Sequence, residues 1–186
     1  MSEEKEYEET IGLDEARAAI IIGNDGATKA KLEESTRTSI EINQGTAKIT
    51  GSNASDVEMA RNILSAISMG FSPKNAIQLK EPDIFLTQIS FKHKNKNRQK
   101  VLAGRIIGKQ GKIRKKIEMM CEVALLIDAS KVYIIGPPRN TDLAKNSIEQ
   151  IINGSKHGSI IDWLQKNVAI KKKSEKALFR EYWSEE

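Results

Sequence analysis

The sequence predicts an α+β chain in which one β-α-α-β-β-α module occurs twice. Residues 18–51 align without a gap on residues 103–136, an offset of 85. Strand-period and helix-period segments then follow one another in the same order in both halves, and glycine and proline punctuate the halves at corresponding places. Gly23, Gly26 and Gly51 fall on Gly108, Gly111 and Gly136. The apolar Ile21, Ile22, Leu32, Ile40, Ile42 and Ile49 fall on Ile106, Ile107, Ile117, Leu125, Ile127 and Ile134. A chain of 186 residues accommodates two such modules, each of about 90 residues and near the small end of what buries a workable core. Pro82, in Lys80-Glu81-Pro82, marks the join, giving expected domains 1–79 and 80–186.

The second module shows each element most clearly. Ile84 to His93 alternates through Phe85, Thr87, Ile89 and Phe91, the period of a half-buried strand. A short helix is expected from Asn97 to Ile107, followed by a glycine-flanked turn. The next helix starts at Lys112 and carries Ile113, Ile117 and Met120 on one face. Two strands follow, Val123–Ile127 and Val132–Ile135, joined by Asp128-Ala129-Ser130-Lys131 and closed by Gly136-Pro137-Pro138. The closing helix is expected to start at Asn140 as N-cap, to bury Ala144, Ile148, Ile151 and Ile152, and to end at Gly154. In the first module the closing helix carries Val57, Ala60, Leu64 and Ile67, with a Ser55…Glu58 capping box and Gly70 then Pro73 as its stop.

Composition narrows the function classes. Charged residues make up 30% and hydrophobic ones 39%, and no apolar run approaches the roughly 18 residues of a membrane span, so no membrane role is expected. The acidic start, Met1-Ser2-Glu3-Glu4-Lys5-Glu6, lacks the pattern of a secretory signal, which points to a cytoplasmic protein. Cys121 is the only cysteine and His93 and His157 the only histidines, so neither a disulfide nor a zinc site is expected, and Cys121 reads as core. Charge is uneven: residues 1–75 hold 8 Lys/Arg against 13 Asp/Glu, and residues 76–186 hold 22 against 12. From Lys92 to Lys116 there are eleven basic residues and no acidic one, a field suited to phosphate backbones, although a solvated basic face has the same composition.

Helix, Gly-x-x-Gly, helix is an arrangement that grips a nucleic-acid backbone. Glycines allow a tight turn and close approach, and the following helix offers N–H groups and a positive dipole end to phosphate. Arg105-Ile106-Ile107-Gly108-Lys109-Gln110-Gly111, with Ile117 beyond it, resembles the signature of a type I KH domain. That resemblance implies two type I KH domains, each a three-stranded sheet backed by helices, the second with a C-terminal helical extension, and the short Pro73–Glu81 connection predicts that they pack as a pseudo-symmetric pair with an interface through the closing helices. Gly70-Phe71-Ser72-Pro73, and His157-Gly158 followed by the helix of Ile160, Ile161, Trp163 and Leu164, are similar to the archaeal partner of Nob one (Dim two) family of small-subunit assembly proteins. Membership implies binding of ribosomal RNA near the 3′ end of the small-subunit precursor. It also implies partnership with the endonuclease Nob one and contact with the α subunit of initiation factor two. The same residues also read as joints, with Gly70 and Gly158 ending helices and Phe71 buried between modules. Trp163 is expected in core packing. Lys171-Lys172-Lys173, before a final Leu178-Phe179-Trp183 helix, reads as phosphate attraction or as a solvated face.

By the same resemblance, Gly108, Lys109, Gln110 and Gly111 hold backbone, Arg105, Lys112, Arg114 and Lys115 neutralise phosphates or stack on bases, and Ile106 contributes to an apolar floor, with Ile107 more readily core. In the first module the turn is Gly23-Asn24-Asp25-Gly26 and Ile20 replaces Arg105. Asp25 stands where a phosphate would sit, so Gly23, Asn24, Gly26 and Lys29 are expected to give at most a weaker second contact, or a surface for docking protein. No catalytic residue or cofactor is expected. Gly104-Arg105-Ile106-Ile107-Gly108-Lys109 has three residues rather than four between its glycines, and Gln110 rather than Ser or Thr after the lysine, so it is not a nucleotide-binding loop. Two alternatives remain open: another tandem KH adaptor in RNA decay or translation regulation, and an interaction scaffold that has lost RNA.

Overall fold

The computed structural model describes the backbone of residues 6–43 and 45–183 and the side chains of those up to residue 177. The chain divides into two compact units, Met1–Ile84 and Phe85–Glu186.

In the first unit the order is β1 (Tyr7–Gly12), α1 (Glu15–Ile22), α2 (Ala27–Thr36), β2 (Ser39–Asn43), β3 (Thr46–Gly51), α3 (Ala54–Met69) and a short α4 (Pro73–Ala76). In the second it is β4 (Phe85–Ser90), α5 (Lys96–Ile107), α6 (Lys112–Cys121), β5 (Ala124–Ile127), β6 (Lys131–Gly136), α7 (Pro138–Ile152) and α8 (His157–Trp183). Each unit carries a three-stranded antiparallel sheet, ordered β1-β3-β2 and β4-β6-β5, so the last strand lies in the middle and needs apolar residues beneath it. Ile49 and Ile134, at corresponding positions of the two central strands, are fully buried. The helices close over one face: Val57, Ala60, Leu64 and Ile67 of α3, and Ala144, Ile148 and Ile151 of α7, are buried at the spacing of one helical stripe.

Several boundaries differ from expectation for local reasons. Asn140 does not cap α7 but lies buried in its first turn. The helix opens at Pro138, whose fixed φ suits the first helical position and whose missing N–H loses nothing there. Asn53 caps α3 by accepting from the Ser55 N–H at 2.9 Å, so no Ser55…Glu58 box forms. Pro73 starts α4 rather than only stopping α3, with Ser72 as the cap that accepts from the Asn75 N–H. Asn95 caps α5, accepting from the Asn97 and Arg98 N–H groups, which moves that helix start to Lys96. Phe91 lies beyond the regular strand β4, although its N–H still reaches the Ser130 carbonyl at 2.9 Å. The basic run Lys171-Lys172-Lys173 is no break: one helix, α8, runs from His157 to Trp183, and it packs on α7 and α6 through Ile160, Leu164 and part of Trp163. The side chains of Leu178, Phe179 and Trp183 lie outside the described residues. Phe71 is buried and Gly70, at φ 131°, closes α3. Gly158 ends no helix; it lies in the first turn of α8 with open space at its Cα.

Candidate nucleic-acid interface

Helix α5 ends because Gly108 turns away with φ 71° and ψ 171°, its N–H still bonded to the Gly104 carbonyl at 2.8 Å. Gln110 (φ 54°) and Gly111 (φ 73°) are both left-handed, and α6 then starts at Lys112 with no side chain capping it. The Lys112 N–H is instead held by the Lys109 carbonyl, so what this helix start offers an anion is its positive dipole end. Gly108 is required sterically as well as conformationally. A Cβ there would lie 2.4 Å from Ile113 Cγ1 and 3.0 Å from the Ile113 backbone nitrogen. Gly111 has open space around it, so only its positive φ selects glycine.

The same loop is built in the first unit. Gly23 has φ 69° and ψ −173°, Asp25 is left-handed at φ 49°, Gly26 follows at φ 78°, and a Cβ on Gly23 would strike Thr28. The backbone is thus repeated while the chemistry is not. The exposed loop residues are Asn24 and Asp25 in one copy and Lys109 and Gln110 in the other.

The residues expected at the site separate into two groups. Lys109, Gln110, Lys112 and Lys115 are exposed, with Lys116 beside them, and none of these lysines is in an ion pair among the described residues. Arg114 instead donates to Glu118, with Nη2 3.2 Å from Oε1, and Lys29 makes the matching bond to Glu33 at 2.8 Å. Arg105 Nη2 donates to the Ser155 carbonyl at 2.7 Å. The two isoleucines exchange the roles expected of them. Ile106 is fully buried in the core of the second unit, whereas Ile107 is 37% exposed beside the loop. The reason is helical phase: Leu102 and Ile106, one turn apart, share the inward face of α5, and Ile107 is turned a third of a turn outward. In the first unit Ile21 and Ile22 divide in the same way, at 0% and 39% exposed.

Two features were not anticipated. Glu118 Oε1 also accepts from the Leu125 N–H at 2.9 Å, and Glu33 Oε1 accepts from the Ile40 N–H at 2.8 Å, so in each unit a glutamate on the second helix ties the neighbouring edge strand. The coincidence of Glu33 with Glu118 at the 85-residue offset was the available signal. The second feature is the pairing of Arg105 with residues 155 and 157, some 50 positions away, for which no local pattern exists.

Residues 9–81 and 85–169 each match the eukaryotic-type KH domain, KH-domain type I. The chain belongs to the type I KH family. Within that family it is Dim2/PNO1-like. It is 34% identical to Dim2p from Pyrococcus horikoshii, with a TM-score of 0.73 over 86% of this chain and 99% of that one. It is 32% identical to a chain in the complex of a/eIF2α, aDim2p and rRNA from the same organism, with a TM-score of 0.74 over 88% of this chain and 95% of that one. A KH domain-containing protein of Methanocaldococcus jannaschii is 28% identical over 165 residues, 85% of this chain and 73% of that protein. The pre-rRNA-processing protein PNO1 of Chaetomium thermophilum is 32% identical over 126 residues, 64% of this chain, and this match spans 48% of its length. In KH terms, the second domain has an intact, basic GxxG loop and the first a GxxG loop of the same shape carrying an aspartate. Among the described residues no helix is long and apolar enough to cross a membrane.

Proposed function

We propose that the second KH domain grips single-stranded RNA through Gly108, Lys109, Gln110 and Gly111, and that this RNA is the 3′ region of small-subunit rRNA or its precursor. The observation that carries the reading is the loop: left-handed at Gln110 and Gly111, without a side-chain cap at the start of α6, and ringed by the exposed Lys109, Lys112 and Lys115, none in an ion pair among the described residues. A single strand fits because Ile107 offers an apolar edge on which a splayed base rests while the backbone lies against the loop. The rRNA assignment draws on the Pyrococcus complex that contains rRNA and a/eIF2α, and on the pre-rRNA-processing name of the fungal relative. The α subunit of initiation factor two and the endonuclease Nob one are the proposed protein partners. The protein acts by binding, not by catalysis. The first KH domain contributes little to RNA affinity, because Asp25 occupies the exposed position of its loop and would repel a phosphate.

A labelled single strand with the 3′-terminal sequence of small-subunit rRNA, titrated against an unrelated strand of equal length at fixed salt, tests this. The wild type is expected to prefer the rRNA strand. Lys109→Asp with Gln110→Asp is expected to weaken binding by more than roughly tenfold, by removing one cation and placing two anions against the backbone. Asn24→Asp is expected to change it little. Equal affinity for both strands would leave general RNA binding without the rRNA role, and an unaffected loop variant would remove the loop from the site.

A further inference from the structure

Arg105 lies one turn before the GxxG loop and is basic, so contact with phosphate is the obvious role for it. Its surroundings indicate another. The Arg105 carbonyl is one of those that the end of α5 leaves without an intrahelical donor, because the chain turns away at Gly108. His157, the first residue of α8, has Nε2 2.9 Å from that oxygen, and since a carbonyl only accepts, Nε2 is the donor. In return the Arg105 guanidinium donates to the Ser155 carbonyl at 2.7 Å, in the short link between α7 and α8. Residue 105 thus exchanges two hydrogen bonds with residues 155 and 157, all three partly buried. Farther along, Lys172 of α8 lies 3.7 Å from Glu122 at the other end of α6. The first unit has neither half of this arrangement: Ile20 stands at the position of Arg105, and the short α4 follows α3 where the second unit has the long α8.

We propose that Arg105 and His157 form a latch that fixes the end of α5, and with it the GxxG loop, against the start of α8, making Arg105 a positioning residue for RNA binding and not a phosphate ligand. The proposal deepens the RNA-binding reading of the second domain and rests on it for its consequence, though not for its geometry. A loop that must present Lys109 and the start of α6 in one orientation gains affinity when the helix before it cannot fray. The latch supplies this by closing the end of α5 with a side chain from a different helix.

Full-length chains with Arg105→Met, His157→Ala, both substitutions, and His157→Gln separate the two roles. Affinity for the rRNA strand is measured across a salt series, and amide hydrogen exchange at Lys109 to Ile113 is measured in the free protein. A latch gives each single variant about fivefold weaker binding with an unchanged slope of log Kd against log salt. The double variant is then no weaker than the worse single one, because the two bonds act as a unit. His157→Gln restores affinity, since its amide N–H can take the place of Nε2. Exchange across the loop rises in Arg105→Met and in His157→Ala alike. A phosphate ligand gives a different pattern: Arg105→Met lowers the salt slope by about 0.7, the share of one phosphate on a single strand, while His157→Ala keeps wild-type affinity and exchange. That result overturns the proposal. If the wild type binds no RNA, the RNA reading fails on its own, and the exchange measurement still decides: faster exchange in both variants upholds the latch, and unchanged exchange removes it.

Discussion

At the residue scale, the two glycines of the basic loop are required for different reasons, and substitution should show it. Gly108→Ala meets Ile113 at 2.4 Å in a left-handed conformation, so α6 must shift, whereas Gly111→Ala carries only conformational strain. Urea denaturation is expected to show a loss of about 3 kcal/mol for Gly108→Ala and about 1 kcal/mol for Gly111→Ala. Cys121 makes a second case. Burial pushes its thiol up to about 12, with Lys171 pulling weakly the other way. The unfolded thiol releases its proton near pH 9 while the native one keeps it, so the native state holds more protons between about pH 9 and 12 and stability falls as pH rises through that window. Urea midpoints at pH 9 and pH 11 are expected to differ less for Cys121→Ala than for the wild type. A thiol reagent at pH 8 is expected to label Cys121 only after denaturant is added.

At the element scale, the repeat made the order of helices and strands legible. Apolar period and glycine position are local properties, and both copies carry them. What escaped was set by packing against the sheet or by competition between neighbouring residues. Ile106 and Ile107 are alike as residues, and only the helical phase of α5 against the sheet decides that the first is buried and the second exposed. Asn140 has the chemistry of a cap, yet two prolines before it open the helix earlier. Lys29 and Arg114 read as free cations until the glutamate one turn on is seen to hold them. That glutamate also joins the second helix to an edge strand in both units. Glu118→Ala is expected to destabilise the second unit by about 2 kcal/mol in urea denaturation, because it strips the Leu125 N–H of its acceptor. Glu118→Gln, which retains a carbonyl there, should cost less.

At the scale of the whole molecule, one backbone design is used twice with opposite charge. The unit ending at Ile84 holds 9 Lys/Arg against 15 Asp/Glu, and the remainder holds 21 against 10. Shared geometry makes the two GxxG loops a controlled comparison, because shape is held constant while Asn24-Asp25 replaces Lys109-Gln110. If shape alone recruited RNA, both loops would bind; if local charge is also required, one does. The most direct measurement is ultraviolet cross-linking of the full chain to the rRNA 3′-terminal strand, with cross-linked peptides identified by mass spectrometry. Cross-links confined to the segment from Ile107 to Lys116 are the expected result. Cross-links concentrated between Ile20 and Lys31 would contradict the assignment of RNA binding to the second domain.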